Sequence, residues 1–209
     1  MLCGNMRKLI PPAFAAALCL ALASCVTDSV NPLCSPDAAK PDPRLLGIWY
    51  DAKDRQTTVF TQEKGPWVHI VSTNLDDDPG KPDMVGHSAD NYDAFPTVIG
   101  TNTFLNVRVP QTSVDVGKKK PTYYLVRYTI SNDGILQMAM IPPDVSAKLV
   151  RDGRIKGEVR ESNTGGSKDT DVTFNDSSEN LMKLIQASDV SQLFTQSMNP
   201  LQREKPAGF

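Results

Sequence analysis

The chain has 209 residues, of which 22 are Lys or Arg and 24 are Asp or Glu, so its formal charge at pH 7 is −2. This length suits one domain with a sizeable core, and the charge balance lacks the basic excess that a nucleic-acid-binding face requires. We therefore expect no nucleic-acid partner.

Residues 1–24 have the pattern of a signal peptide. Two basic residues, Arg7 and Lys8, precede an almost unbroken apolar run at 13–23. That run is far shorter than the about 20 apolar residues that span a bilayer, so it fits the apolar core of a cleaved leader.

The leader ends in Leu22-Ala23-Ser24-Cys25. These residues resemble the lipobox of bacterial lipoproteins, in which the chain is cut before the Cys and the Cys sulfur receives a diacylglycerol. The resemblance implies that Cys25 is lipidated; the alternative is a secretory signal with an incidental Cys. Because Val26 follows Cys25, where Asp would retain the protein at the inner membrane, the resemblance favours the outer membrane with the domain facing the periplasm.

Residues 25–43 contain four Pro and few large apolar side chains. This composition predicts an extended tether between the lipid and a single domain at 44–200, with a flexible C-terminus at 201–209. Cys34 is then the only free thiol, so no disulfide forms within the domain. Cys34 either makes an intermolecular disulfide or stays unpaired.

Short β-like segments follow one another from residue 44 onward. They cover 44–50, 56–62, 66–73, 103–109, 122–130, 135–141, 154–160 and 171–174, with an ambiguous segment at 84–94. Such spacing predicts an antiparallel barrel or sandwich.

Two helices interrupt or follow these strands. A minor helix is expected at 142–152. A C-terminal helix is expected after Asp176, which pairs with Glu179 as a cap. Its apolar stripe consists of Leu181, Leu184 and Ile185.

Gly47-Ile48-Trp49 opens the first strand. A Gly-x-Trp here, followed by meander strands and a C-terminal helix, resembles the lipocalin-like (calycin) β-barrels, and the layout of residues 31–200 resembles uncharacterised bacterial lipoproteins. The resemblance implies a barrel of seven or eight strands, with Trp49 closing one end under a ligand cavity. Trp49 as a plain core residue is the alternative. Tyr124 and Tyr128 share one strand face and are further candidates to line the cavity.

No catalytic constellation is present, so we expect a non-enzyme without a cofactor. His69 and His87 are the only histidines and show no metal-ligand spacing, so no metal site is expected. Residues 76–78 match the start of a calcium loop, but Pro79 stands where that loop needs Gly. The lysines at 118–120 either contact anionic headgroups or form a solvated loop.

The sequence thus predicts a lipid-anchored cell-envelope lipoprotein with a non-catalytic barrel that binds a small apolar ligand. The alternative is a structural or interaction module that docks an envelope protein. The barrel interior separates the two hypotheses, since an open apolar cavity favours a ligand and a filled interior favours a partner.

Overall fold

A computed structural model describes residues 27–74, 88–108, 121–164 and 167–204. The strands are β1 (Thr27–Ser29), β2 (Gly47–Asp51), β3 (Gln56–Gln62), β4 (Val68–Asn74), β5 (Ser88–Ile99), β6 (Asn102–Arg108), β7 (Tyr123–Ile130), β8 (Ile135–Met140), β9 (Gly157–Thr164), β10 (Ser167–Phe174), β11 (Gln196–Ser197) and β12 (Leu201–Arg203). The helices are α1 (Pro143–Arg151), α2 (Ser178–Gln186) and α3 (Val190–Leu193).

Strands β2 to β8 and β12 form a closed antiparallel barrel of eight strands. Neighbouring strands follow chain order, and β12 completes the ring between β8 and β2, where Gln202 is opposite both Tyr50 and Ile135. The predicted mainly β barrel with minor helices is therefore confirmed. The structure adds the short helix α3 and three strands that the sequence pattern did not indicate, namely β1, β11 and β12.

Alternation along the strands produces two hydrophobic clusters, because successive side chains point to opposite faces. The inner cluster contains Leu45, Trp49, Phe60, Val68, Ile70, Ala94, Leu105, Val107, Val126, Tyr128, Leu136, Met138, Met140 and Leu201. The outer cluster contains Leu33, Ile99, Phe104, Leu125, Ile141, Ala147, Leu149, Ile155, Val172, Phe174, Leu181, Leu184, Ile185, Leu193 and Phe194. The inner cluster lines the barrel interior, and the outer cluster joins one side of the barrel wall to the three helices and β10.

The segment expected to be a tether is folded from Thr27 onward. Strand β1 pairs in parallel with β10 and meets the start of β7. Leu33 is fully buried, and its N–H donates to Oδ1 of the buried Asn106 at 2.7 Å. Cys34 is a half-buried free thiol, with Sγ 3.0 Å from Thr97 Oγ1. The prediction of an extended tether from the composition is wrong, because proline restricts the backbone but does not prevent the segment from packing against the rest of the same chain. The domain therefore begins well before residue 44.

The expected flexible C-terminus is corrected in the same way. Leu201 is 1% exposed within the barrel, and the Arg203 N–H donates to the Gly134 carbonyl oxygen at 2.8 Å. Strand β12 is too short to show a strand pattern in the sequence. Its hydrogen-bond partners are β8 and β2, between which it lies. The domain therefore extends beyond residue 200.

Helices α1 and α2 lie where the sequence predicted them, but the cap of α2 is shifted by one residue. Ser177 Oγ accepts from the Asn180 N–H at 3.2 Å, and Asp176 Oδ1 accepts from the Ser177 N–H at 2.9 Å. Glu179 instead pairs with Lys183 one turn later, at 2.6 Å. The predicted stripe of Leu181, Leu184 and Ile185 is buried.

Several residues singled out in the sequence lie outside the described ranges. They are Cys25, the acidic residues at 76–78, His87 and the lysines at 118–120.

Candidate functional site

An apolar cavity of about 80 Å³ lies inside the barrel and is partly open to solvent. It is lined by Thr58, Phe60, Ile70, Ser72, Tyr92, Leu105, Val107, Tyr124, Val126, Met138, Met140 and Met198. None of these described lining side chains carries a charge. The cavity therefore suits an apolar, uncharged molecule.

One side of this cavity is polar. Thr58 Oγ1 and Ser72 Oγ lie 3.1 Å apart, and Gln56 Nε2 donates to Ser72 Oγ at 2.6 Å. Gln56 is 1% exposed, and its Oε1 atom has no hydrogen-bond partner in the described part of the chain. Gln56 does not border the cavity itself, so the polar side chains on this side of the cavity are Thr58 and Ser72.

The three aromatic candidates occupy different places. Tyr124 lines the cavity, and burial together with the nearby Asp28 raises the pKa of its phenol, which keeps it protonated. Trp49 and Tyr128 are buried in the same inner cluster, yet neither borders the cavity. Both belong to the end of the barrel where β2 begins and β7 ends.

Trp49 is held from two sides at that end. Its Nε1 donates to the Leu45 carbonyl oxygen at 2.7 Å, and the guanidinium carbon of Arg203 lies 4.4 Å from the ring centroid. Gly47 has a φ of +123°, and a Cβ placed there would lie 3.1 Å from Arg203 Nη1. The Gly-x-Trp motif thus has a physical reason: glycine adopts this φ and leaves room for the guanidinium that covers the indole.

Tyr128 completes the same closed end. Its hydroxyl donates to Asp42 Oδ2 at 2.8 Å, and Arg44 Nη2 donates to the same oxygen at 2.7 Å. Burial opposes ionisation of Asp42, but the hydrogen bonds from Arg44 and Tyr128 outweigh it and lower the pKa of that carboxyl. Burial and the Asp42 carboxylate raise the pKa of Tyr128. Sequence reasoning missed Asp42 and Arg203 because their partners Tyr128 and Trp49 are distant along the chain.

One group on the outer wall could in principle bind a metal ion. It consists of Glu63, His69 and Asp93, whose possible ligand atoms lie within 4.8 Å of one another. His69 Nδ1 lies 3.1 Å from Asp93 Oδ1, which agrees with a hydrogen-bonded strand histidine. Arg108 Nη1 lies 3.4 Å from Asp93 Oδ2, and its guanidinium stacks on Trp67. Since this guanidinium already neutralises Asp93 and would repel a cation, we assign the group to a surface polar network.

The fold and the cavity define a closed eight-stranded β-barrel with an apolar interior. Comparison with protein-family models, with curated proteins and with solved structures finds no match for this chain. In the described part of the chain, no helix combines the length and apolar character needed to cross a membrane.

Proposed function

We propose that this protein is a lipid-anchored lipoprotein of the cell envelope whose barrel binds a small apolar ligand without transforming it. The observation that carries the proposal is the uncharged, apolar cavity inside the barrel. The lipobox-like Leu22-Ala23-Ser24-Cys25 supports the anchor, and Val26 supports the periplasmic face of the outer membrane.

The cavity size favours a slim ligand. Its volume of about 80 Å³ is well below the about 300–1,000 Å³ of ordinary ligand pockets. Met138, Met140 and Met198 border it, and these unbranched side chains adapt their rotamers easily. A single alkyl chain that displaces methionine side chains therefore fits better than a rigid ring system.

The polar side of the cavity favours a neutral head group. Thr58 and Ser72 border the cavity, and their hydroxyl groups can hydrogen-bond a ligand hydroxyl or amide. A carboxylate buried here would meet no cationic side chain among the described lining residues, and an unpaired buried charge is costly. The ligand class is therefore a neutral monoacyl amphiphile.

Native mass spectrometry with 1-monobutyrylglycerol, a short-chain neutral monoacyl amphiphile, as the probe tests this function. Val126 lines the cavity at 3% exposure, and Val98 on the outer wall is 65% exposed, so Val126→Phe and Val98→Phe are a matched pair. We expect wild type and Val98→Phe to bind the probe and Val126→Phe to bind at least about tenfold more weakly, with a normal melting transition. Absent binding to wild type, or equal binding to both variants, contradicts the proposal.

The anchor is tested by Cys25→Ser, with Cys34→Ser as the control. The first variant should accumulate as an uncut precursor without acyl mass, and the second should be processed normally. A mature Cys25→Ser protein in the membrane fraction contradicts the anchor. Since β1 starts at Thr27, only Val26 lies between the proposed attachment site at Cys25 and the first strand.

A structural or interaction module is the second candidate, favoured by an exposed apolar patch. Ile48 and Tyr50 of β2 are 43% and 36% exposed, and Ile135 of β8 is 36% exposed. Tyr50 and Ile135 flank Gln202, so the patch crosses the seam at β12. If this is the function, the barrel should hold no ligand, and a cross-linker at position 50 should link the protein to an envelope protein. Ile48→Glu should abolish that cross-link.

A further inference from the structure

A second cavity lies outside the barrel, on the outer face of β7 and β8. Its volume is about 340 Å³, within the range of small-molecule sites. Two cross-strand pairs form its floor, Arg127 with Ala139 and Thr129 with Gln137. Its walls come from Phe194, Ser197, Met198 and Pro200.

Arg127 is the charged group of this cavity. Its Nε atom is buried and has no hydrogen-bond partner among the described residues. Asp189 is near enough for Arg127 to contribute to the lowered pKa of that carboxyl, but Asp189 Oδ1 accepts from the Ser191 N–H and Oγ at 3.0 and 2.7 Å. Arg127 is half-buried and makes no salt bridge within 4 Å in the described part of the chain, so its guanidinium group can accept an anionic partner in the cavity.

The surroundings of Arg127 match an oxyanion. Thr129, Gln137 and Ser197 contribute hydroxyl and amide donors to the same cavity. A carboxylate or phosphate group in the cavity would accept from the two Nη atoms of Arg127 in the bidentate geometry that guanidinium groups favour, while Nε stays buried. The apolar Phe194, Met198 and Pro200 leave room for a short hydrocarbon body.

We propose that this outer cavity is a binding site for a small organic anion, held through its carboxylate or phosphate group by Arg127. The site is distinct from the cavity inside the barrel, although Met138 and Met198 border both. It does not depend on the ligand or the lipid anchor proposed above.

Isothermal titration with butyrate and with inorganic phosphate, at constant ionic strength set by chloride, tests the site. Arg127→Gln removes the guanidinium, and Arg160→Gln removes an exposed one that pairs only with surface Glu158 in the described structure. We expect at least one probe to bind wild type and Arg160→Gln alike and to bind Arg127→Gln at least about tenfold more weakly. No binding of either probe to wild type, or equal binding to both variants, overturns the proposal. A titration with anionic vesicles distinguishes a lipid headgroup, which would bind there more tightly than either free anion.

Thermal unfolding provides an independent readout. If Arg127 lacks a partner in the free protein, Arg127→Met should not lower the melting temperature in anion-free buffer. The bound probe should raise the melting temperature of wild type and leave that of Arg127→Met unchanged. A lower melting temperature of Arg127→Met without the probe would show that the guanidinium has a structural partner, and would overturn the proposal. Thr129→Val, which keeps the guanidinium, should weaken binding severalfold while the protein stays folded.

Discussion

The guanidinium carbon of Arg203 lies 4.4 Å from the centroid of the Trp49 ring, so the last strand of the barrel covers the aromatic residue of the first. Arg203 also donates from Nη1 to the Leu46 carbonyl oxygen at 2.8 Å and from Nη2 to the Arg44 carbonyl oxygen. This one side chain therefore ties β12 to β2 and to the segment that closes the end of the barrel.

Arg203→Met keeps much of the length and apolar contact of the side chain but removes its charge and donors. We expect the free energy of unfolding to fall by about 2–3 kcal/mol, because a cation–π contact and charge-assisted hydrogen bonds are lost. Urea unfolding measures the change. Arg160→Met is the control, since its exposed pair with Glu158 contributes at most about 1 kcal/mol. Equal effects of the two substitutions would show that the Trp49 contact does not stabilise the closed end.

Trp49→Ala should lower the free energy of unfolding by about 3–5 kcal/mol, the cost of deleting a large buried aromatic side chain. Trp49 is fully buried, whereas its neighbour Tyr50 is 36% exposed on the outer face of the same strand. Tyr50→Ala is therefore the matched control and should cost much less. An unchanged melting temperature for Trp49→Ala would mean that the indole is not part of the core.

Asp176 should make stability depend on pH in the acid range. Burial opposes its ionisation, but hydrogen bonds from the Lys156 N–H, the Asn180 side chain and the Ser177 N–H prevail and lower the pKa of its carboxyl. Its folded pKa is thus below the unfolded value of about 3.9, so its contribution is complete above that pH and is lost as pH falls through the folded pKa.

Asp176→Asn should therefore destabilise the protein by about 1–3 kcal/mol at pH 7, and this deficit should shrink as the pH falls below about 4. Urea unfolding at pH 7 and pH 3 measures both values. The exposed turn residue Asp133, changed to Asn, is the control. A deficit that is the same at both pH values would show that the ionised form of Asp176 has no special role.

Leu184→Asp should place an unpaired carboxylate in the outer cluster, where Leu184 is 7% exposed. We expect a loss of about 3–5 kcal/mol in that region, and hydrogen exchange should show reduced protection in α2, α1 and β10. The strands β3 and β4 should keep their protection, since their buried apolar side chains belong to the separate inner cluster. Gln186→Asp, on the exposed side of α2, is the control. Loss of protection throughout the barrel would show that the two clusters unfold as one.

Much of the barrel was predictable because its strands alternate over six or more residues. β3 lies at the predicted 56–62, β6 is shifted by one residue at both ends, and β7 and β8 differ from their predicted bounds by one residue at one end. The apolar stripe of α2 was equally clear. The candidate site was predictable only in part, since Tyr124 borders the cavity while Trp49 and Tyr128 lie at the closed end.

Local patterns of side chains determined the barrel class, the two main helices and the expectation of a leader ending at Cys25. Tertiary structure decided where the domain begins and ends, because β1 and β12 are three-residue strands whose stability comes from distant partners. It also decided the two cavities. Gln56 and Ser72 meet between β3 and β4, and the outer cavity around Arg127 forms where residues 194–200 pack beside β7 and β8. Such contacts form between segments that only the fold brings together. The periodicity of apolar residues along the chain does not predict which segments meet.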